Sequence, residues 1–173
     1  MNAKNLTRNA VMLALLIICS QITIPLPAVP LTLQTFAIGL IASLLPVGDT
    51  LLVIGGYLLL GSVGLPVFSS FTAGLAVILG PLGGYLIGFL LYGLVTSGWL
   101  KLSGNGTSAL VLANLLGASV QLLIGAWWLK VWNGLNWSVA LMTGVVPFVL
   151  PAIIKLYLVV IIVKRVRRIT IFA

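Results

Sequence analysis

Long apolar stretches alternate along the chain with short breaks made of proline, glycine or charged residues. Hydrophobic periodicity says little about a helix that lipid surrounds, so the segments are placed by their length and by these breaks. Six segments result, and they predict an all-α integral membrane protein built as a six-transmembrane-helix bundle. We expect a single membrane domain, 1–173, with approximate spans 8–24, 33–45, 50–64, 82–100, 108–130 and 139–163.

The second and third segments are the shortest of the six. Pro46 follows the second segment, and Leu65 and Pro66 follow the third. The two segments hold about 13 to 15 residues, against the ~20 that a full span usually needs. They therefore predict either two short spans inside a bundle or one re-entrant pair.

Basic residues predict how the bundle is oriented. Lys4 and Arg8 precede the first segment, Lys101 follows the fourth, and four basic residues lie within 164–168 after the sixth. With six spans all of these groups lie on one side, which the positive-inside rule assigns to the cytoplasm together with both termini. An aromatic belt on the opposite side is predicted from Trp127, Trp128, Trp132 and Trp137.

Composition supports a lipid environment. Of the 173 residues, 61% are apolar and 6% are charged, and the mean hydropathy is +1.29. A water-soluble domain of this size could not bury so much apolar surface. The formal net charge of +8 comes from sparse residues that lie mostly at the two ends, which favours contact with anionic lipid and argues against nucleic-acid binding.

The residue types that catalysis needs are mostly missing from the sequence. There is no histidine, Asp49 is the only acid, and Cys19 is the only cysteine. We therefore expect no enzyme activity, no internal disulfide, no metal site and no cofactor. No P-loop motif is present and no acid lies inside a span, so the energy for any active transport must come from another protein.

One charge lies deep inside a predicted span. Lys155 is well within the sixth segment, four residues after Pro151, while Asp49 belongs to the opposite, cytoplasmic edge. A lone ammonium in hydrocarbon is costly, so its expected counter-ion is an anion from outside the cell. The alternatives are a lysine that snorkels to the cytoplasmic headgroups or one that pairs with carbonyls freed by Pro151.

The outer loops are suited to enclosing a partly apolar ligand. Residues 31–36 and 65–68 combine aliphatic and aromatic side chains with a few neutral polar groups, and we include Thr32 and Phe68 among the substrate-binding candidates. Two small-residue pairs predict close helix contacts. For Gly84 with Gly88 we expect packing inside the bundle, whereas Ala10 with Ala14 fits internal packing and the docking of another membrane subunit equally well.

Four motifs resemble the BioY family, the biotin-binding S components of energy-coupling factor (ECF) vitamin transporters. They are Val29 to Phe36, Gly64 to Phe68, Leu79 to Tyr85 followed by Gly88 and Phe89, and Pro147 to Lys155, and they occur in the family's order across nearly the whole chain. The resemblance implies a multi-pass protein of the bacterial inner membrane with biotin bound near the outer face. It also implies partners, namely a transmembrane coupling protein, EcfT, and two ECF ATPases, although some members act without a dedicated module.

The same resemblance implies roles for single residues. Lys155 matches the family's binding lysine, which meets either the valerate carboxylate or the ureido oxygen of biotin, and the charge argument prefers the carboxylate. Gln34, Tyr85 and the loop around Thr72 become pocket candidates. Ala10 with Ala14 corresponds to the face that docks on the coupling protein.

Three positions depart from the family pattern. Some relatives carry an acid, an asparagine and an arginine where this chain has Ala152, Thr72 and Leu86. The departures leave open how the ureido group is recognised. Two alternatives to biotin uptake therefore remain: an S component for another carboxylated cofactor such as lipoate, and a non-transporting membrane assembly protein.

Overall fold

The computed structural model describes residues 3–169, which are helical except for one short strand pair and the connecting loops. The all-helical prediction is thus confirmed at this level. A single 3-10 turn, Ser69–Phe71, interrupts the loop after the third helix. The other elements are α1 (Ala3–Gln21), β1 (Thr23–Ile24), β2 (Leu31–Thr32), α2 (Gln34–Leu44), α3 (Val47–Ser62), α4 (Leu75–Leu79), α5 (Gly83–Ser103), α6 (Thr107–Asn133), α7 (Trp137–Gly144) and α8 (Val146–Arg168).

Within residues 3–169, three helical stretches are long and apolar enough to cross a membrane. They are α5, α6 and the stretch from Trp137 to Arg168 that α7 and α8 form together. The helices in the second and third predicted segments, α2 and α3, are apolar but only 11 and 16 residues long. This agrees with the prediction that these two segments are shorter than a usual membrane span.

The loop between α1 and α2, the first of the predicted outer loops, contains a strand pair. β1 and β2 pair antiparallel, with Thr23 opposite Thr32 and Ile24 opposite Leu31, and the prolines lie in the connection between them. The loop between α3 and α5 is the second predicted outer loop. It contains both the 3-10 turn and the five-residue α4.

The sixth predicted segment is broken where its first proline lies. Val145 separates α7 from α8, and Pro147 occupies the first turn of α8. A proline is tolerated there because the first backbone N–H groups of a helix have no partner within it. Pro151 lies inside α8, one turn before Lys155.

Glycines bring α5 and α6 into close antiparallel contact. A Cβ atom on Gly84 would overlap Trp128, and one on Gly88 would press against Gln121. On α6, Gly117 lies against Tyr92 and Gly125 lies against Tyr85, both of which belong to α5. The prediction that Gly84 and Gly88 serve packing inside the bundle is therefore confirmed.

The short helix α2 lies at the centre of the bundle. It packs against α1, α5 and α8, and every residue from Ala37 to Ser43 is buried. A helix that is apolar on all sides is stable only when other protein or lipid surrounds it. Here protein surrounds it, so α2 can be shorter than the thickness of the bilayer.

At the end of the bundle that holds the first turns of α1 and α3, the single acid is paired. Arg8 donates to Asp49 at 2.5 Å, and Asn9 donates to the other carboxylate oxygen at 3.0 Å. Both charged side chains are 18% exposed. Asp49 is thus not available to Lys155, as the sequence argument required, although the pairing with Arg8 was not foreseen.

Candidate functional site

A cavity opens between the first outer loop, the 3-10 turn and the helices α2, α5, α6 and α8. Its wall is mostly apolar, with Val29, Leu82, Phe89 and Phe148 among the lining residues. Five residues predicted to bind substrate also line it, namely Thr32, Gln34, Phe68, Tyr85 and Lys155. The fold therefore gathers these five side chains, which the sequence distributes over more than 120 positions, at one place.

Lys155 projects from α8 across the cavity to the start of α2. Its ammonium donates a hydrogen bond to the backbone carbonyl of Thr32 at 2.5 Å and another to the hydroxyl of Thr35 at 2.9 Å. Both acceptors are neutral. Of the three arrangements considered from the sequence, snorkelling to the cytoplasmic side and pairing with carbonyls near Pro151 are not the ones observed. The ammonium lies at the cavity, and no residue within 3–169 supplies a counter-charge to it.

Gln34 holds the corner between β2 and α2. Its Oε1 accepts from the Thr32 hydroxyl at 2.7 Å, and its Nε2 donates to the Tyr57 hydroxyl at 2.6 Å. The backbone N–H of Gln34 also donates to the Thr32 hydroxyl, at 3.3 Å. Because all these groups are buried, the network fixes the backbone whose carbonyl receives Lys155.

Two aromatic residues supply much of the apolar wall. Phe68 is fully buried and meets the ring of Tyr57 edge-on, with centroids 5.5 Å apart. The Tyr85 hydroxyl donates to the carbonyl of Gly144 at 2.9 Å, and its ring lies 6.5 Å from that of Phe148. Tyr85 thus connects α5 to the break between α7 and α8 while presenting its ring to the cavity.

Thr72 is not brought into the cavity lining. It is exposed, and its hydroxyl donates to the carbonyl of Ser69 at 2.9 Å, which closes the 3-10 turn. The same loop is tied to α1 because Gln21 accepts from the backbone N–H of Phe71 at 2.9 Å. A contact between Thr72 and a ligand stays a prediction.

Ala10 and Ala14 lie on the exposed face of α1. The buried residues of that helix, including Met12 and Leu16, occupy the other face. Of the two alternatives that the sequence left open, the structure thus does not use this pair for packing inside the bundle. A docking role for the pair stays a prediction.

The cavity also contains polar residues that the sequence did not single out. Thr35 accepts from Lys155, and Gln121 of α6 lines the opposite wall at 3% exposure. For Gln121 the sequence offers a weak signal, namely a polar amide inside a 27-residue, mostly apolar helix. Asn114 gives the same signal, but its side-chain amide already donates hydrogen bonds to the Ser43 hydroxyl and to the Leu110 carbonyl.

The arrangement can bind a ligand but offers little chemistry to transform it. Within residues 3–169, no group of three histidine, cysteine or acidic residues could hold a metal ion. Over the part of the chain that the structure describes, the cavity combines the Lys155 cation, a Gln121 amide whose Oε1 is unpaired, and an apolar wall. Such a site fits a small molecule that has an anionic end and a neutral polar end joined by an apolar body.

Comparison with known proteins agrees with this geometry. A sequence model described as the BioY family matches residues 1–171. A protein of Lactococcus lactis subsp. cremoris (strain MG1363) named "Biotin transporter BioY2" is 42% identical over 157 residues, which cover 91% of this chain and 86% of that protein. A "Probable biotin transporter BioY" of Pyrococcus horikoshii is 38% identical over 165 residues, covering 95% and 97%.

A solved structure has the same fold. It is described as the S-component for biotin from an ECF-type ABC transporter, and it superimposes with a TM-score of 0.90 at 30% identity, covering 97% of this chain and 95% of that one. The relatives are named as transporters, consistent with the scarcity of catalytic groups here. By its sequence and by its fold, this chain belongs to the BioY family.

Proposed function

We propose that this chain binds biotin and serves as the substrate-capturing subunit of an ECF-type uptake system. The observation that carries the proposal is the Lys155 ammonium, which faces a mostly apolar cavity and whose hydrogen-bond partners among residues 3–169 are the neutral oxygen atoms of Thr32 and Thr35. The names of the relatives and of the similar solved structure support biotin as the ligand.

Capture would give the Lys155 ammonium a charged partner. Two of its three N–H donors meet Thr32 and Thr35, and the valerate carboxylate of biotin would accept the third or replace one of these neutral acceptors. The carboxylate adds an opposite charge that neither neutral acceptor has, and an apolar cavity screens this attraction less than water does, which favours the bound state. The fused rings would lie against apolar side chains such as Phe68 and Tyr85, which line the same cavity. Gln34 and Thr32 would act by holding the corner between β2 and α2, and Thr72 would act from the loop above.

We further propose six membrane spans in a single domain of the bacterial inner membrane, with both termini cytoplasmic. Three basic residues from distant parts of the chain, Arg8, Lys101 and Arg167, line one cleft, which supports their location on the same side. At the other end Lys130 lies 5.3 Å from the ring centre of Trp137. Exposed tryptophans there fit an outer aromatic belt.

Partners would supply the energy for uptake. The sequence has no P-loop, so ATP hydrolysis would fall to two ECF ATPases, coupled through the membrane protein EcfT. The exposed small residues Ala10 and Ala14 support a docking face on α1, because small side chains allow another helix to approach closely.

Lipoate is a second candidate ligand, because two residues that line the cavity are apolar. Ala152 and Leu86 both face the cavity, where some relatives carry charged residues, and an apolar wall would also suit lipoate. Lipoate shares the carboxylate and the aliphatic chain of biotin but has no urea. A non-transporting assembly protein, in contrast, would bind neither compound.

A thermal-shift panel on the purified protein separates these functions. A ligand at 100 times its dissociation constant adds about 2.7 kcal/mol to the free energy of unfolding. We expect biotin to raise the unfolding temperature more than lipoate does. A larger shift with lipoate would reassign the ligand, and no shift with either compound would contradict a capture function.

A further inference from the structure

Gln121 stands out among the polar side chains of the cavity because its acceptor is unused. The residue is 3% exposed, and its Oε1 accepts no hydrogen bond from any residue within 3–169. Buried polar atoms are nearly always paired, since an unpaired one loses its hydration without compensation. A buried, unpaired amide in a ligand cavity therefore indicates a group that pairs with the ligand.

The other polar side chains predicted to bind substrate already have partners in the protein. The Thr32 hydroxyl and the Gln34 amide bond to each other, and Gln34 continues to Tyr57. The Tyr85 hydroxyl is used by the carbonyl of Gly144. Lys155 and the buried Gln121 keep capacity for a ligand, one charged and one neutral, and the half-buried Ser69 adds a hydroxyl at the 3-10 turn.

Packing limits where the Gln121 side chain can go. Gly88 of the facing helix α5 approaches closely. A Cβ atom on Gly88 would lie 3.1 Å from the Cγ of Gln121 and 3.2 Å from the backbone carbonyl oxygen of Gln121. The base of the side chain is thereby confined between α5 and α6. A confined amide loses little conformational entropy when a ligand pairs with it.

We propose that Gln121 recognises the cyclic urea of biotin, with its Oε1 accepting from a ureido N–H and its Nε2 donating to the ureido oxygen. A primary amide and a cyclic urea each present one donor beside one acceptor, so they can form two parallel hydrogen bonds. This assignment rests on the proposed biotin-binding function. It makes Gln121 the specificity-determining residue that distinguishes biotin from a carboxylate without a urea, while Lys155 binds the carboxylate shared by both.

A cycle of variants and ligands tests this pairing. The dissociation constants of biotin and of its two mono-N-methylated ureido derivatives are measured by calorimetry on the wild-type protein and on Gln121→Met, which keeps the length and volume of the side chain. We expect at least one methylated ligand to bind the wild type about tenfold to a hundredfold more weakly than biotin, because a buried pairing is lost. In Gln121→Met that penalty should fall below about threefold, since its acceptor is gone.

Leu123→Met is the matched control, because it introduces the same residue on the exposed face of α6, outside the cavity lining. This variant should bind the methylated ligand more weakly than biotin by the same factor as the wild type does. An equal penalty in the wild type and in Gln121→Met would overturn the assignment of Gln121 and leave biotin binding intact. Failure of the wild type to bind biotin would instead overturn the proposed function.

A second measurement uses the wild-type protein and therefore does not depend on the folding of a variant. Solid-state NMR with ¹⁵N-labelled biotin and ¹³C-labelled glutamine can detect proximity between a ureido nitrogen and a side-chain amide carbon. A hydrogen bond places these two atoms roughly 4 Å apart. Absence of any such contact to Gln121 in the biotin-bound protein would contradict the proposal.

Discussion

The Lys155 ammonium donates a hydrogen bond to the backbone carbonyl of Thr32, 123 residues earlier in the chain and 2.5 Å away. The bond joins the last long helix to the end of the first outer loop, across the cavity. Thr35 accepts a second hydrogen bond from Lys155, so one of the three ammonium N–H donors remains for a ligand carboxylate. Lys155 thus joins the proposed ligand site to the β1–β2 loop, whose far end is fixed by Gln34.

Replacing Gln34 tests the rigidity of that corner. In Gln34→Leu the hydroxyls of Tyr57 and Thr32 lose their buried partners, so we expect the free energy of unfolding to fall by about 1–3 kcal/mol. Denaturant unfolding in detergent, followed by tryptophan fluorescence, measures the change. Ser62→Ala removes a local hydrogen bond at a less buried site and serves as the control. Equal unfolding midpoints for the two variants would show that the Gln34 network does not stabilise the fold.

Asp49 and Arg8 form a pair whose coupling can be measured by a double-mutant cycle. Asp49→Asn leaves Arg8 without its counter-charge at the junction of α1 and α3, and Arg8→Gln leaves Asp49 with Asn9 alone. Because both side chains are partly exposed, we expect a coupling energy of about 1 kcal/mol from the unfolding free energies. Biotin affinity should not change, since the pair lies at the other end of the bundle. Strict additivity of the two variants would contradict a stabilising pair.

The close contact between α5 and α6 predicts opposite effects for one substitution at two glycines of the same helix. Gly84→Ala introduces a Cβ atom that overlaps Trp128, and we expect it to lower the free energy of unfolding by about 1–3 kcal/mol. Gly98→Ala meets no atom within 4 Å, so the higher helix propensity of alanine should leave stability unchanged or raise it by up to about 1 kcal/mol. Thermal unfolding of the two variants side by side is the measurement. The prediction fails if Gly84→Ala is as stable as Gly98→Ala.

A bulky residue on the exposed face of α1 should separate binding from transport. Ala14→Trp lies away from the cavity, so the affinity of the purified protein for biotin should match the wild type. Uptake of labelled biotin by cells that also contain the coupling protein and ATPases should fall by at least about tenfold, which corresponds to a loss of 1.4 kcal/mol in docking. Leu115→Trp, on the exposed face of α6, is the control and should transport normally. Normal uptake by Ala14→Trp would exclude this face as the docking surface.

Sequence reasoning succeeded where a single residue contradicts its surroundings. Lys155 could be recognised because a charge inside an apolar segment is costly in any fold, and the lone acid was plainly elsewhere. The predicted span 139–163 is broken in the structure, and Pro147 lies in the first turn of α8, where its missing backbone donor is tolerated.

What depends on packing between distant segments could not be predicted in the same way. Gln121 differs little from Asn114 in the sequence, and the helix contacts within residues 3–169 show that Asn114 is paired while the Oε1 of Gln121 is not. The contact predicted between Thr72 and a ligand stays a prediction, and the sequence did not show that its hydroxyl donates to Ser69. The Arg8–Asp49 pair depends on how α1 and α3 meet, which neither segment specifies alone.

The central claim is that Lys155 binds the carboxylate of biotin, and calorimetric titration of biotin into the wild type and into Lys155→Met tests it most directly. We expect the variant to bind at least about 30-fold more weakly, because truncating one partner of a buried charge pair costs roughly 2–5 kcal/mol. Lys164→Met, at the exposed end of the same helix, should bind like the wild type. Biotin methyl ester should bind the wild type and Lys155→Met equally. Undiminished biotin affinity in Lys155→Met would contradict the account.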